Sequence, residues 1–186
     1  MISECILQGE RVRLRPVEER DLPNFVRWLA DPEVTRWLGD LEGAPSLEDE
    51  QEWYENKRGD PDNVLWAIDG PGGRLIGTIE LRVSPRQRRA EMGVAIQDKT
   101  QWNQGYGTQA VGLVLDYAFD DLGLNRLQLT CDEDNARAIR CYEKCGFQRE
   151  GLLRQHRLVE GRFGNTLIMS VLKEDWDAAR RPAQSD

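Results

Sequence analysis

Two glycines open the stretch of this chain with the most chemistry in it. Residues 101–119 read QWNQGYGTQAVGLVLDYAF. A turn through Trp102, Asn103, Gln104, Gly105, Tyr106, Gly107 and Thr108 runs into a helical pattern. Ala110, Val111, Val114, Leu115, Ala118 and Phe119 fall on one face of that helix. The first N–H groups of a helix have no intrahelical partner and the dipole there is positive, so such a turn grips anions. Gly105 and Gly107 carry no side chain and let the backbone close on a ligand. The predicted chemistry is the holding of a pyrophosphate. A dinucleotide site would need G-x-G-x-x-G, and a phosphate loop would need Gly-Lys-Ser/Thr. Only G-x-G is present, and Gly-Lys-Ser/Thr occurs nowhere. What remains is pyrophosphate held by backbone N–H groups, without a magnesium ligand or a ribose carboxylate.

The other reactive side chains are few. Cys5, Cys131, Cys141 and Cys145 show no second pair at zinc spacing. Free thiols in a reducing cytoplasm are expected, with neither metal nor disulfide. His156 is the single histidine. A net charge of -8 argues against a general nucleic-acid binder and is compatible with a cationic substrate. No apolar run approaches the roughly 20 residues needed to span a bilayer, and the N-terminus has no cleavage-site pattern, so neither a membrane partner nor a signal peptide is expected. At 186 residues, with 39% hydrophobic and 31% charged, the chain fits one domain with a real core. That domain is expected to span 1–186, with its core at about 10–176 and a polar, frayed tail from 178 to 186.

These groups must be positioned by elements legible in the pattern. Val12 and Leu14 alternate with arginines in 10–16, a half-buried strand ended by Pro16. Asp21 stands where an N-cap belongs, with Pro23 just inside a helix that stops before Asp31 and Pro32. A short turn or helix at 33–38 and a loop at 41–45 follow. Ser46 and Asp49 have capping-box form for a helix reaching about Lys57. Strands at 64–69 and 75–83 form a hairpin around the turn 70–73. A third antiparallel strand, 89–96, leads into the glycine turn. After its helix come a strand at 125–131, a helix at 136–144 stopped by Gly146, and a final strand pair at 147–153 and 164–171 turning at Glu160 and Gly161. The order β-α-α-β-β-β-α-β-α-β-β predicts an α+β, or mixed α/β, sandwich of one sheet and about four helices. The strands before and after the glycine-turn helix should lie parallel and adjacent, joined by a right-handed crossover. Ligands in such folds sit at the carboxyl ends of those strands, where neighbours diverge.

Three segments in this order resemble the GNAT superfamily of acyl-coenzyme A-dependent N-acetyltransferases. The turn 102–107 is similar to the family's Q/R-x-x-G-x-G/A, with Trp102 departing at the first position. Trp there, followed by Thr108-Gln109-Ala110 close to T-E-A, resembles the branch that acetylates ribosomal-protein N-termini. Residues 135–147 are similar to N-x-x-A-I-x-x-Y-E-K-x-G-F, and 89–93 to R-A-E-x-G. Polyamine acetyltransferases share the layout, including Tyr142 and the run 88–91. The resemblance covers about 10–176, including 172–176. It implies a GNAT-like three-layer sandwich, its central sheet mostly antiparallel with one parallel pair splayed at the cofactor site.

The resemblance also implies roles. The backbone of Val94, Ala95 and Ile96 would pair with the pantetheine arm of acetyl-coenzyme A, and one of its N–H groups would polarise the thioester carbonyl. Residues 102–108 would wrap the pyrophosphate, Thr108 adding a hydroxyl. Asn135 would bond the pantetheine as well as cap its helix. Tyr142, two turns on along the same face, would give its proton to the departing sulfur, since an ordinary tyrosine is protonated at pH 7. Glu91 would take the amine's proton, with Glu80 competing for that role. His156 would suit a base but lies in the late hairpin, where a surface or structural role is expected. Substrate selection falls to 37–54 and 154–165, where Asp40, Glu42, Glu48, Asp49 and Glu52 could steer a cationic amine. No cysteine sits where a covalent acyl carrier would be needed, so a direct ternary complex is expected. The expected acceptor is a protein N-terminal amine; a small polyamine or an aminoglycoside amine is the alternative. A non-catalytic acyl-coenzyme A-binding module is the rival from another class. A homodimer is compatible with the resemblance.

Overall fold

Hydrophobic alternation places the strands of this chain in one sheet, with helices on both faces. The computed structural model describes residues 5–38, 43–159 and 161–180. The chain runs β1 (Leu7–Gln8), β2 (Arg13–Pro16), α1 (Leu22–Leu29), α2 (Pro32–Thr35), α3 (Leu47–Gly59) and β3 (Asn63–Asp69). It continues through β4 (Leu75–Ser84), β5 (Arg89–Ile96), α4 (Tyr106–Asp116), β6 (Arg126–Asp132) and α5 (Ala136–Lys144). β7 (Gln148–Val159), β8 (Arg162–Leu172) and α6 (Lys173–Arg180) complete it. The strand order is β1-β2-β3-β4-β5-β6-β8-β7. Every pairing is antiparallel except β5 with β6. This is the mixed α/β sandwich with one parallel pair that the element order implied.

One face of the sheet packs on α4. Trp66, Ile79, Leu81, Leu127 and Met169 meet Ala110, Val111, Val114 and Leu115, all essentially inaccessible to solvent. Trp66 also donates its Nε1–H to the Cys5 carbonyl at 2.9 Å and meets Tyr117 edge-on at 5.5 Å. Truncating a tryptophan so placed costs about 3–5 kcal/mol. The opposite face buries Phe25, Trp28 and Leu29 of α1 and Tyr54 of α3 over Ala67 and Leu75. The cap of α3 follows its sequence. Ser46 Oγ accepts from the Asp49 N–H at 3.2 Å, and Asp49 returns the bond to the Ser46 N–H at 2.7 Å.

Several expectations are corrected. Asp21 stands at the start of α1 but caps nothing there. Its carboxylate takes both terminal nitrogens of Arg15, at 2.7 and 2.9 Å, and the Glu18 N–H at 2.9 Å. Arg15 also donates to Asp69 at 2.9 Å, which is why the strand's alternation breaks and this arginine is buried. β1 is too short to show a period in the sequence. The final hairpin extends beyond both predicted strands. The chain from Lys173 to Arg180 is helical where a fraying tail was expected from 178. Arg180 reaches Asp116 at 2.8 Å and Asp120 at 3.0 Å, fastening α6 to the end of the α4 segment. Residues 181–186, Glu160, Asp40, Leu41 and Glu42 lie outside the described residues.

Candidate active site

The parallel pair is brief. β5 and β6 register only at Arg89 with Arg126, Ala90 with Leu127 and Glu91 with Gln128. Beyond Glu91, β5 stays with β4 while β6 stays with β8. The strands therefore separate, and the β6-facing backbone of 92–96 is left without a strand partner. A cleft of about 620 Å³ occupies the gap. The end of β5 is shaped by its neighbour: the N–H groups of Gln97 and Asp98 both donate to the Ile76 carbonyl, at 2.9 and 3.0 Å. A Cβ at Gly77 would collide with the Ala95 carbonyl oxygen and stand 2.9 Å from Ile96 Cα. Only glycine lets the two strands approach so closely here.

The glycine turn opens α4 on the same cleft. Gly105, at φ 84°, holds the cap position of the helix. Arg11 fastens the turn from outside. Its Nη1 donates to the Gln104 carbonyl at 2.9 Å, and its guanidinium lies 4.6 Å over the Tyr106 ring. Gln109 Oε1 accepts from the backbone N–H groups of Arg11 and Val12 at 2.7 and 2.8 Å. Gln104 does not line the cleft; its Nε2 turns back to the Thr100 carbonyl at 3.0 Å. Trp102 joins the turn to β5, donating Nε1–H to the Ile96 carbonyl at 2.6 Å. Over its ring, 3.6 Å from the centroid, lies the guanidinium carbon of Arg137. Arg137 is half-buried, and burial lowers its pKa from the ordinary value. Among the described residues it forms no ion pair. Glu33, the carboxylate it senses, is held by Lys99 at 2.9 Å.

The second wall is α5. Asn135 caps it, Oδ1 accepting from the Ala138 N–H at 3.1 Å, and lines the cleft. Tyr142 is buried against Phe147, ring centroids 5.9 Å apart, and faces the cleft. Burial first, then the thiols of Cys131, Cys141 and Cys145, hold its pKa well above the ordinary phenol value. The hydroxyl therefore keeps its proton throughout the neutral range. Thr108 Oγ1 is 3.4 Å from Cys141 Sγ, so its hydroxyl already has a partner beneath the turn.

Cysteine is nearer the site than the sequence suggested: Cys131 and Cys141 both line the cleft. Burial, with Asp132 nearby, pushes the Cys131 thiol up to about 11. It stays protonated near neutral pH and is a poor nucleophile. Cys141 lies beside Gly107 and Thr108 under the turn. All four thiols are free.

Across the gap the cleft is walled by Trp37, Leu38, Trp53 and Leu65 and floored by charge. Glu80 Oε2 meets Lys57 Nζ at 2.6 Å, and Arg82 stands 3.8 Å from Glu80 and 3.6 Å from Glu91. Glu91 is the freer carboxylate, its side chain 42% exposed against 19% for Glu80. The late hairpin also brings His156 to this cleft. Its Nδ1 lies 3.0 Å from Thr166 Oγ1. The acids of α3 do not line the cleft: Glu48 and Glu52 border a separate shallow hollow, and Asp49 is held in the helix cap. Of the predicted residues, the structure brings Glu91, Val94, Ala95, Ile96, Trp102, Asn103, Gly105, Tyr106, Gly107, Thr108, Asn135 and Tyr142 to one cleft. Sequence reasoning missed Arg137, Lys57, Arg82 and Gly77. Arg137 alone carried a signal, its place in the first turn after Asn135.

A sheet split beside a glycine-opened helix, with one continuous cleft through the split, suits an enzyme with a phosphate-bearing donor. The comparisons agree. A family model described as acetyltransferase (GNAT) domain matches residues 11–148. The uncharacterized N-acetyltransferase YoaA of Bacillus subtilis (strain 168) is 32% identical over 90% of this chain and 97% of its own length. An aminoglycoside N(6')-acetyltransferase type 1 of Klebsiella pneumoniae is 30% identical over 77% of each chain. A crystal structure of spermidine N-acetyltransferase from Vibrio cholerae, in complex with CoA and spermine, superposes with a TM-score of 0.82 at 25% identity. That match covers 90% of this chain and 99% of the other. The chain belongs to the GNAT family of N-acetyltransferases, enzymes that carry acetyl from acetyl-coenzyme A to an amine. No helix among the described residues is long and apolar enough to cross a membrane.

Proposed function

We propose that the chain acts as a single catalytic domain that acetylates a primary amine of a small polyamine or aminoglycoside through a direct ternary complex. The observation that carries this is the cleft itself. It runs from the glycine turn to Glu80 and Glu91, so that one continuous space can take the donor at the turn and the amine at the carboxylates. The N-terminal-amine reading gives way because the relatives above with named acceptors act on aminoglycosides or spermidine.

The donor fits what the chain offers. The unpaired edge of 92–96 suits the pantetheine amides, in the manner of an added strand, and one of its N–H groups would polarise the thioester carbonyl. The N–H groups of 103–108 suit the pyrophosphate. Asn135 contributes a polar side chain beside the pantetheine path. The amine must lose a proton before its nitrogen can attack the acyl carbon, and Glu91 accepts that proton directly or through water. As the C–N bond forms the C–S bond breaks, Tyr142 donates its proton to the departing thiolate, and the second proton shed by the acetylated nitrogen returns through water to the tyrosinate. A buried phenol is suited to that step because it is always protonated. Cys131 offers no competing acyl acceptor because it too holds its proton.

The test measures coenzyme A release against a panel of spermidine, an aminoglycoside and short peptides, for wild type and Tyr142→Phe. Turnover with a small amine, and a kcat about 10²- to 10⁴-fold lower for the phenylalanine variant, is the expected result. Peptides as the sole substrates would restore the N-terminal reading. Binding of acetyl-coenzyme A with no turnover on any amine would make the chain a non-catalytic acyl-coenzyme A module. An equally fast variant would remove Tyr142 from catalysis.

A further inference from the structure

We infer that Arg137 is a ligand of the coenzyme A pyrophosphate and that the Trp102 ring is the platform that holds it there. The inference rests on the acetyl-coenzyme A reading above. The family signature begins with a polar or cationic residue at position 102, and this chain has none. The structure returns a cation to the same spot from the opposite wall. The guanidinium carbon of Arg137 lies 3.6 Å from the centre of the Trp102 ring. Trp102 itself is anchored by Nε1 on the Ile96 carbonyl at 2.6 Å, so the platform is fixed to the cofactor strand.

Three properties separate this arginine from an ordinary surface cation. It is half-buried and lines the cleft. It has no ion pair among the described residues, in a chain where Arg11, Arg15, Arg126 and Arg149 each hold a carboxylate or carbonyl. The acid nearest in effect, Glu33, is taken by Lys99. A partly desolvated guanidinium without an anionic partner is costly to keep. A guanidinium carbon 3.6 Å from the ring centre leaves edge N–H groups to offer to a ligand, and arginine binds phosphate through two parallel hydrogen bonds from such an edge. The glycine turn, whose N–H groups call for an anion, continues from Trp102 itself and lines the same cleft. The arginine and the N–H groups of the turn would therefore share one phosphate group.

The decisive measurement is binding, without acceptor, of coenzyme A, dephospho-coenzyme A and pantetheine by calorimetry. Wild type, Arg137→Ala, Arg137→Lys and Trp102→Phe are compared. Arg137→Ala should weaken coenzyme A and dephospho-coenzyme A alike, by about 10- to 100-fold, and leave pantetheine unchanged. Arg137→Lys should recover part of the loss at most, since lysine offers a point charge without two parallel donors. Trp102→Phe keeps a ring face and removes the bond to Ile96, so it should lose less than Arg137→Ala. A loss confined to coenzyme A would move Arg137 to the 3′-phosphate and overturn the pyrophosphate assignment. Equal losses for all three ligands would make its role structural and overturn it too. Wild type that binds none of the three would instead overturn the cofactor reading beneath the inference.

Discussion

Glu80 and Glu91 face the same cleft, and their partners tell them apart. Glu80 is more buried and closes on Lys57 at 2.6 Å, while Glu91, among the described residues, pairs only with Arg82, at 3.6 Å. A base must exchange a proton with the amine, and a carboxylate locked to a lysine is the poorer one. Glu91→Gln should lower kcat about 10- to 100-fold with little change in thermal midpoint. Glu80→Gln should act on folding and acceptor KM, because it leaves Lys57 unpaired beside an apolar wall. Steady-state kinetics and a melting curve for each variant separate the two. The reverse pattern, with kcat lost in Glu80→Gln alone, would transfer the base to Glu80. At this scale the sequence showed both carboxylates. It placed Glu91 ahead by resemblance alone, because the physical difference between the two depends on Lys57, a residue of α3 that no motif marks.

Among the elements, β5 matters most to the site, and its shape is set by β4. A methyl group at Gly77 would strike the Ala95 carbonyl and force the cofactor edge out of line. Gly112, in α4, has open space around its missing side chain. Gly77→Ala should lower stability by about 1–3 kcal/mol and weaken coenzyme A binding. Gly112→Ala should raise stability by about 0.5–1 kcal/mol and leave binding alone. Equal midpoints for the two variants would refute the close-packing argument. At the other side of the sheet, Glu150 of β7 binds Arg126 of β6 at 2.6 Å and accepts from Ser170 Oγ of β8 at 2.6 Å. Arg126 first, then Ser170, hold its pKa down from 4.5 to about 2. The folded carboxyl is the stronger acid, so its contribution is present above the ordinary value and disappears as pH falls through that interval. Glu150→Gln should therefore melt below wild type at neutral pH, with the gap closing between about pH 5 and about pH 2. A gap independent of pH would show that the ion pair contributes nothing. Strands 64–69, 75–83 and 89–96 were legible because their period and their turns agree. β1 was not, being two residues long. α6 was missed because its fixing contacts, from Arg180 to Asp116 and Asp120, join residues some 60 positions apart in the chain.

The whole molecule carries a net charge of -8, and both its donor and its own surface are anionic. A uniform field of that sign would repel coenzyme A. The described lining of the cleft runs the other way, with Lys57, Arg82, Arg137, Arg140, Lys144 and Arg157 against only Glu80 and Glu91. This local reversal is not visible in a sum over the sequence, because the fold collects the cations from α3, β4, α5 and β7. The motifs located the phosphate turn, but the field around it belongs to the assembled cleft. The two pictures predict opposite responses to salt. Screening acts over about 10 Å at 0.1 M ionic strength, so if the net charge governed encounter, added salt would speed donor binding. If the cleft governs it, salt must slow binding, since the attraction focused between the walls is what is screened. Stopped-flow association of coenzyme A between about 0.02 and 0.5 M sodium chloride should show a rate that falls steadily. Arg137→Ala combined with Lys144→Ala should flatten that slope. A rate that rises with salt in wild type would mean that the overall charge dominates and that the cleft does not steer its donor.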